Sequence, residues 1–254
     1  MISVFDSGIG GISVLAELKK ILPQEDFCYF ADAANAPYGD KETEEIKLLM
    51  RQNVQSFLDQ GAKAVVLACN TATSAAAASL REEFCDIPIL GIEPALKPAL
   101  QKTEKKVLVL ATALTIKEKK LHNLAESLGE QERLIMLPCS GLMEMTEENP
   151  FSEEVESYLQ CLIKPYAEEI SAIVLGCTHY SFLKPLLKRF FPAAELFDGN
   201  EGLARHLQKV LTEKELLQQN GGALLWQNSL SDEAANAAYN RHCEKVYNNF
   251  KSRE

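Results

Sequence analysis

Short apolar, β-branched runs alternate along this chain with longer amphipathic stretches, and this rhythm constrains the fold more than any other feature. ISVF opens the chain before a helical stretch at 11–22; FCYFA precedes 42–60, AVVLA precedes 72–84, and IPIL follows. VLVLA then precedes 115–128, IMLP comes next, and AIVLG precedes 179–190. Strand followed by amphipathic helix is the βαβ signature of a parallel sheet. The runs are apolar throughout rather than alternating, as expected when helices cover both faces. The expected class is α/β, with mainly parallel sheets flanked by helices.

The runs fall into two sets. Gly91-Ile92-Glu93-Pro94 closes a strand, and KTEKK at 102–106 leads into a fresh one. A domain of residues 1–92 plus 208–254 and a second of 93–207 are expected, the largely helical C-terminal part returning to the first half through a Gly-Gly break and ALLWQ. The sets share a near copy: Val65-Val66-Leu67-Ala68-Cys69 and Ile173-Val174-Leu175-Gly176-Cys177 lie 177 − 69 = 108 residues apart. ISVF-Asp6-Ser7 stands about 105 residues before VLVL-Ala111-Thr112. Two similar units are implied. Ligands of open α/β sheets bind beyond the carboxyl ends of strands, so a facing pair would bring both cysteines to one interdomain cleft, the expected active site.

Composition narrows the function. The 26 basic and 36 acidic residues give a net charge of −10 with no basic stripe, which argues against a nucleic-acid partner. No run approaches the roughly 20 apolar residues of a membrane span. The N-terminus has no export features, so the protein is expected in the cytoplasm. Seven cysteines, at 28, 69, 85, 139, 161, 177 and 243, form no Cys-x-x-Cys pair, and no cluster has metal-ligand spacing. A reduced compartment suits them. His122, His206 and His242 fall in helical stretches and are expected on solvated faces.

Cys69 is followed by Asn70 and Thr71, and Cys177 by Thr178 and His179, each at the expected start of a helix. A helix N-terminus favours an anion and lowers a thiol pKa, while its N–H groups and the Asn and Thr side chains can hold a carboxylate. Two such bases on opposite sides of one carbon can each remove or supply a proton, which inverts that carbon. His179 is placed to orient or charge-assist Cys177. The loop Asp6-Ser7-Gly8-Ile9-Gly10-Gly11 joins a strand to a helix and suits a polar substrate, and Pro37-Tyr38-Gly39 follows the second strand as a candidate binding loop.

Plainer readings compete. A strand-end cysteine is commonly a small core residue, although the repeated context favours catalysis. Gly8 and Gly10, with Asp32 ending the next strand, imitate a dinucleotide fingerprint in which Ser13 replaces the last glycine. An NAD-linked oxidoreductase and a non-catalytic small-ligand binding protein therefore stand beside the two-base enzyme that inverts a carbon, a racemase.

As a set, FDSGIGG, APYG, ACNTA, GIEPA, ATALTI and GCTHY resemble the glutamate racemases of the aspartate/glutamate racemase superfamily, in order along the whole chain. The resemblance implies a pseudosymmetric two-domain α/β fold, no cofactor, and L-/D-glutamate as substrate, with D-glutamate supplied to bacterial peptidoglycan. Aspartate racemase or another amino-acid racemase of the superfamily is the alternative. By the same resemblance Cys69 and Cys177 are the two bases, Asp6 assists Cys69 and His179 assists Cys177. Ser7, Pro37, Tyr38, Gly39, Asn70, Thr71, Thr112, Thr115 and Thr178 contact substrate, joined by Asp6 and His179. Glu147, in CSGLMEMTE, matches a family acid near Cys177, with Glu144 and Glu148 as alternatives. FADAANAPYG lacks the Gly-Asp and Arg common in the family, and Asp198-Gly199-Asn200 stands where Asp-Ser-Gly is common. The extension that accompanies precursor activation in some members is missing, so no such activation is expected. Oligomeric state is left open, a homodimer included.

Overall fold

The computed structural model describes residues 1–117, 119–150 and 152–252 and divides into two compact units. Met1–Ile92 and the chain from Asn200 onward form one, and Glu93–Gly199 the other. The first begins β1 (Ile2–Asp6), α1 (Ile12–Ile21), β2 (Phe27–Ala31), α2 (Thr43–Asp59), β3 (Ala64–Leu67), α3 (Asn70–Glu83), β4 (Ile89–Gly91). The second runs α4 (Leu96–Lys102), β5 (Lys106–Ala111), α5 (Ala113–Lys117), α6 (Lys119–Leu128), β6 (Leu134–Pro138), α7 (Leu142–Glu148), α8 (Glu153–Ile163), β7 (Ile170–Leu175), α9 (Lys184–Phe190), β8 (Glu195–Phe197). The chain returns to the first unit with α10 (Asn200–Glu213), β9 (Leu224–Asn228) and α11 (Glu233–Lys251). The helix expected at 115–128 is represented by α5 and α6, and residue 118 between them lies outside the described residues.

Both sheets are parallel, in the orders β4-β3-β1-β2-β9 and β6-β5-β7-β8. With β5 to β8 taken as counterparts of β1 to β4, the order is the same, and β9 is an added edge strand. The registers match as well: Phe5 lies opposite Leu67, and Leu110 opposite Leu175. Just past the strands, Ala68 N donates to Phe5 O and Gly176 N to Leu110 O, both at 2.7 Å. Asp32 N likewise donates to Asp6 O at 2.9 Å, and Cys139 N to Ala111 O at 3.0 Å. The sequence repeat is thus a repeat of backbone geometry.

Successive side chains of a strand point to opposite faces, and the second unit uses both. Leu108, Leu110, Ile173 and Leu175 pack with Leu142, Val155 and Leu159, from α7 and α8. The intervening Val107, Val109, Ala172 and Val174 pack with Leu96 and Ala99 of α4 and Leu121 and Ala125 of α6. Two buried faces explain the uniformly apolar strands. In the first unit Phe5 stacks on Phe30, with centroids 6.2 Å apart, and Phe30 meets Phe57 of α2 edge-on at 5.3 Å.

Close approach at the strand ends demands a missing side chain. A Cβ on Gly11 would lie 2.7 Å from Asp6 Cβ and 2.9 Å from Ala68 Cβ. In the second unit the glycine is Gly176, whose added Cβ would lie 2.9 Å from Ala111 Cβ.

Three expectations are corrected. The boundary at 208 falls inside α10, which starts at Asn200 and packs on α1 of the first unit. Its buried Leu203, Ala204, Leu207 and Leu211 form one continuous face, so residues 200–207 belong with the first unit. ALLWQ, expected only to lie between C-terminal helices, belongs to a strand: Leu224 to Asn228 pair with Phe27 to Ala31, and Trp226 packs against Tyr29 at 5.5 Å and Tyr247 of α11 at 5.8 Å. The helix expected at 179–190 begins as a 3₁₀ turn, Thr178–Leu183. Pro185 has no N–H to bond back to Ser181, so it starts α9 instead of continuing one helix.

No helix among the described residues is long and apolar enough to cross a membrane. Because Leu159 is fully buried against β5 and β7, Leu159→Ala should lower the unfolding free energy by about 2–5 kcal/mol. Urea denaturation of wild type and variant checks this, and an unchanged midpoint would contradict the assigned core.

Candidate active site

In the first unit β1 lies between β2 and β3 in the parallel sheet, so the segments leaving these strands share one edge. Asp6 ends β1, Cys69 follows β3, and the loop with Pro37, Tyr38 and Gly39 follows β2. Asp6 is fully buried and its Oδ1 accepts from Gly8 N at 2.8 Å. Ser7 Oγ lies 3.7 Å from Cys69 Sγ, which also accepts from Ala72 N at 3.5 Å. Cys69 therefore caps the 14-residue helix α3 with its sulfur, at the end where the helix dipole favours a thiolate. Thr71 is buried beside it. Asn70 is 5% exposed, and neither its amide oxygen nor its nitrogen has a partner among the described residues. A buried unpartnered amide is costly, a cost that a hydrogen-bonding ligand would remove.

Tyr38 is buried between the half-buried Pro37 and Gly39, and its hydroxyl donates to Asp32 Oδ2 at 2.5 Å. Burial, reinforced by the Asp32 carboxylate and by Cys69 and Asp6, pushes the phenol far above its ordinary range, so it remains a donor. Asp32 also accepts from Asn35 Nδ2 and Asn53 Nδ2. These bonds weigh against the dinucleotide reading, because both oxygens of the acid meant for a ribose already accept bonds inside the chain.

The second unit repeats the layout with other side chains. Thr112 follows β5, Cys177 follows β7, and α7, with Glu147, follows β6. Thr112 Oγ1 donates to Thr115 Oγ1 at 2.9 Å and accepts from Thr115 N at 3.2 Å. Thr178 is buried. His179 is 2% exposed, with Nδ1 3.8 Å from Cys177 Sγ and Nε2 2.5 Å from Glu147 Oε2. Of the three candidate acids Glu147 is the one that reaches this histidine, while Glu144 and Glu148 are exposed. Burial alone would strip the imidazole of its proton, but hydrogen bonds to Cys177 and Glu147 outweigh it and hold His179 well above the ordinary histidine range.

The expectation that each thiol sits at a helix N-terminus holds for Cys69 and α3 but is corrected for Cys177. Cys177 precedes a 3₁₀ turn and makes no side-chain cap bond, and its side-chain neighbour is the His179 ring instead. The other cysteines offer no comparable setting. Burial raises Cys28 to about 11, and burial with the nearby Cys177 raises Cys139 to about 12. His122, His206 and His242 are exposed on α6, α10 and α11. Among the described residues no group of His, Cys, Asp or Glu could hold a metal ion.

Two features escaped the sequence reading: the side chains that engage Asp32 and the pairing that selects Glu147. Asn53 is 21 residues from Asp32, and Glu147 is 32 from His179. Neither separation matches a local motif, so only folding exposes the pairs.

The sequence profile of the family described as Asp/Glu/Hydantoin racemase matches residues 13–207. The chain belongs to this family. A glutamate racemase of Clostridium perfringens (strain SM101 / Type A) is 44% identical over 238 residues, with 91% of each chain covered. The crystal structure of a glutamate racemase isoform from Bacillus anthracis superposes with a TM-score of 0.85 at 29% identity, covering 97% of this chain and 93% of that one. Escherichia coli glutamate racemase, in complex with L-glutamate and the activator UDP-MurNAc-ala, superposes at 0.84 with 28% identity over 97% of this chain and 94% of that one. The protein is thus an isomerase, an amino-acid racemase.

The charged state of His179 has a measurable consequence for this racemase. A pKa raised by folding contributes stability that is complete below the unfolded value of about 6.5 and is lost as pH climbs through the folded value. Thermal unfolding of wild type should therefore show falling stability on the alkaline side of that point. The decline should be shallower in His179→Asn; identical slopes would contradict the assignment.

Proposed function

We propose that this racemase interconverts L- and D-glutamate without a cofactor, the Cys69 and Cys177 thiols acting on opposite faces of one α-carbon. The observation that carries the reading is the matched register that places these two cysteines each two residues past the end of its strand, β3 or β7, with a backbone N–H on one sulfur and an imidazole beside the other. The substrate assignment draws on the relatives named glutamate racemase and on the solved relative that holds L-glutamate.

One cysteine enters as thiolate and the other as thiol. The thiolate takes the α-proton: the C–H bond breaks, an S–H bond forms, and the electron pair passes to the α-carbon and its carboxylate. The opposing thiol then gives its proton to the other face and becomes the thiolate. On the Cys177 side, the imidazolium of His179, held by Glu147, stabilises that thiolate. On the Cys69 side the start of α3 and Ser7 do so, and Asp6 assists. Asn70, Thr71, Thr178, Thr112, Thr115 and the loop at Pro37–Gly39 hold the polar ends of glutamate, hydrogen-bonding the carboxylate as charge builds on it. The D-glutamate serves bacterial peptidoglycan, made from precursors in the cytoplasm.

Purified protein should abolish the circular dichroism of pure L- or D-glutamate with nothing added, and aspartate assayed in parallel tests specificity. Enantiomers have equal free energies, so kcat/KM is the same in both directions for every variant, and separate faces must be read from a one-base reaction. Cys69→Ser and Cys177→Ser should each lower racemisation by roughly 10²–10⁴-fold. Elimination from a glutamate bearing a β-leaving group needs one base only, and should survive for one enantiomer in one variant and for its mirror image in the other. Equal loss for both enantiomers in both variants would sink the two-face mechanism.

A further inference from the structure

Asp32 belongs to none of the roles above, yet it is 1% exposed and holds together the loop that carries Tyr38. Its backbone N–H donates to Asp6 O at 2.9 Å, extending the β1–β2 pairing, and its carbonyl accepts from Asn35 N at 3.0 Å. Oδ1 accepts from Asn35 Nδ2 at 2.9 Å; Oδ2 accepts from the Tyr38 hydroxyl at 2.5 Å and from Asn53 Nδ2 of α2 at 3.4 Å. A single carboxylate thus ties the strand end, the turn at 35, the loop at 38 and helix α2. A buried carboxylate is tolerated only while hydrogen-bonded, so loop conformations that break these bonds are penalised. The Tyr38 ring in turn packs on Phe5, with centroids 5.8 Å apart, and Phe5 O is the acceptor for Ala68 N beside Cys69. The position of Tyr38 is thereby referred to the backbone that carries Asp6 and Cys69.

We propose that Asp32 is the positioning residue of the substrate loop: by accepting the Tyr38 hydroxyl bond it holds Pro37, Tyr38 and Gly39 in one conformation, so that glutamate meets a preformed surface. The inference rests on the reading that residues 37–39 contact glutamate. Preorganisation of this kind appears in substrate binding, because an unheld loop must be ordered anew for each substrate molecule.

The test compares wild type, Tyr38→Phe, Asp32→Asn and the double variant by kcat and KM in both directions, with thermal unfolding of each. Tyr38→Phe should raise KM for both enantiomers about 10-fold, the worth of one charge-assisted hydrogen bond, with kcat within about three-fold of wild type. Asp32→Asn, which leaves an uncharged and weaker acceptor, should move KM in the same direction, and the double variant should be no worse than the more affected single one, since both act on the same bond. Should Asp32→Asn fail to fold, Tyr38→Phe decides alone, because its ring keeps the packing on Phe5. A lower unfolding temperature with unchanged KM, a collapse of kcat at constant KM, or additive losses in the double variant would each overturn the proposal. Absence of glutamate racemisation in wild type would instead overturn the functional reading, and this inference with it.

Discussion

Two backbone hydrogen bonds, Ala68 N to Phe5 O and Gly176 N to Leu110 O, set the geometry on which the rest of the molecule depends. Each carries a parallel pairing one residue past its strand, immediately before Cys69 or Cys177. The bonds require two backbones to approach where side chains would collide. Gly11 relieves the crowding in the first unit and Gly176 in the second, so the glycine falls on a different segment each time. Identical backbone geometry is reached by different sequence solutions, and the repeat in space is accordingly cleaner than the repeat in sequence.

On that shared frame the two units are equipped differently. Cys69 lies at an α-helix start beside a serine hydroxyl; Cys177 lies beside a histidine whose charge is held by Glu147. Enclosing the His179–Glu147 pair costs desolvation, and such a pair is weak evidence of a stabilising design. In the proposed mechanism the pair supports the thiolate beside it. The same divergence appears one strand further out. Asp32 and Cys139 occupy matching positions, each donating its N–H to the end of the central strand. One carries a carboxylate that organises a loop, and the other a thiol that burial keeps protonated.

The fold class was open to reading because its cause is local: strands buried on both faces must be apolar throughout, and Val107 to Leu110 show that pattern directly. The cysteine pair could be read because register preserves the distance from strand to thiol. ALLWQ was harder, since a five-residue run after two glycines has strand character only once β2, nearly 200 residues earlier, supplies its partner. The start of the return segment was misplaced for a related reason: α10 is amphipathic wherever it docks, and only its contact with α1 assigns it.

The sequence by itself determined the parallel α/β class, the two-unit repeat and the pair of strand-end cysteines, because each follows from residue type and spacing within one strand–helix unit. Tertiary structure alone decided that Glu147 rather than Glu144 or Glu148 meets His179, that Asp32 is engaged by Tyr38, Asn35 and Asn53, and that Cys177 precedes a 3₁₀ turn. The Glu147 and Asn53 contacts join side chains from distant segments, 32 and 21 residues apart. Which of several adjacent carboxylates turns inward depends on the packing of α7, a quantity that no run of residues encodes on its own.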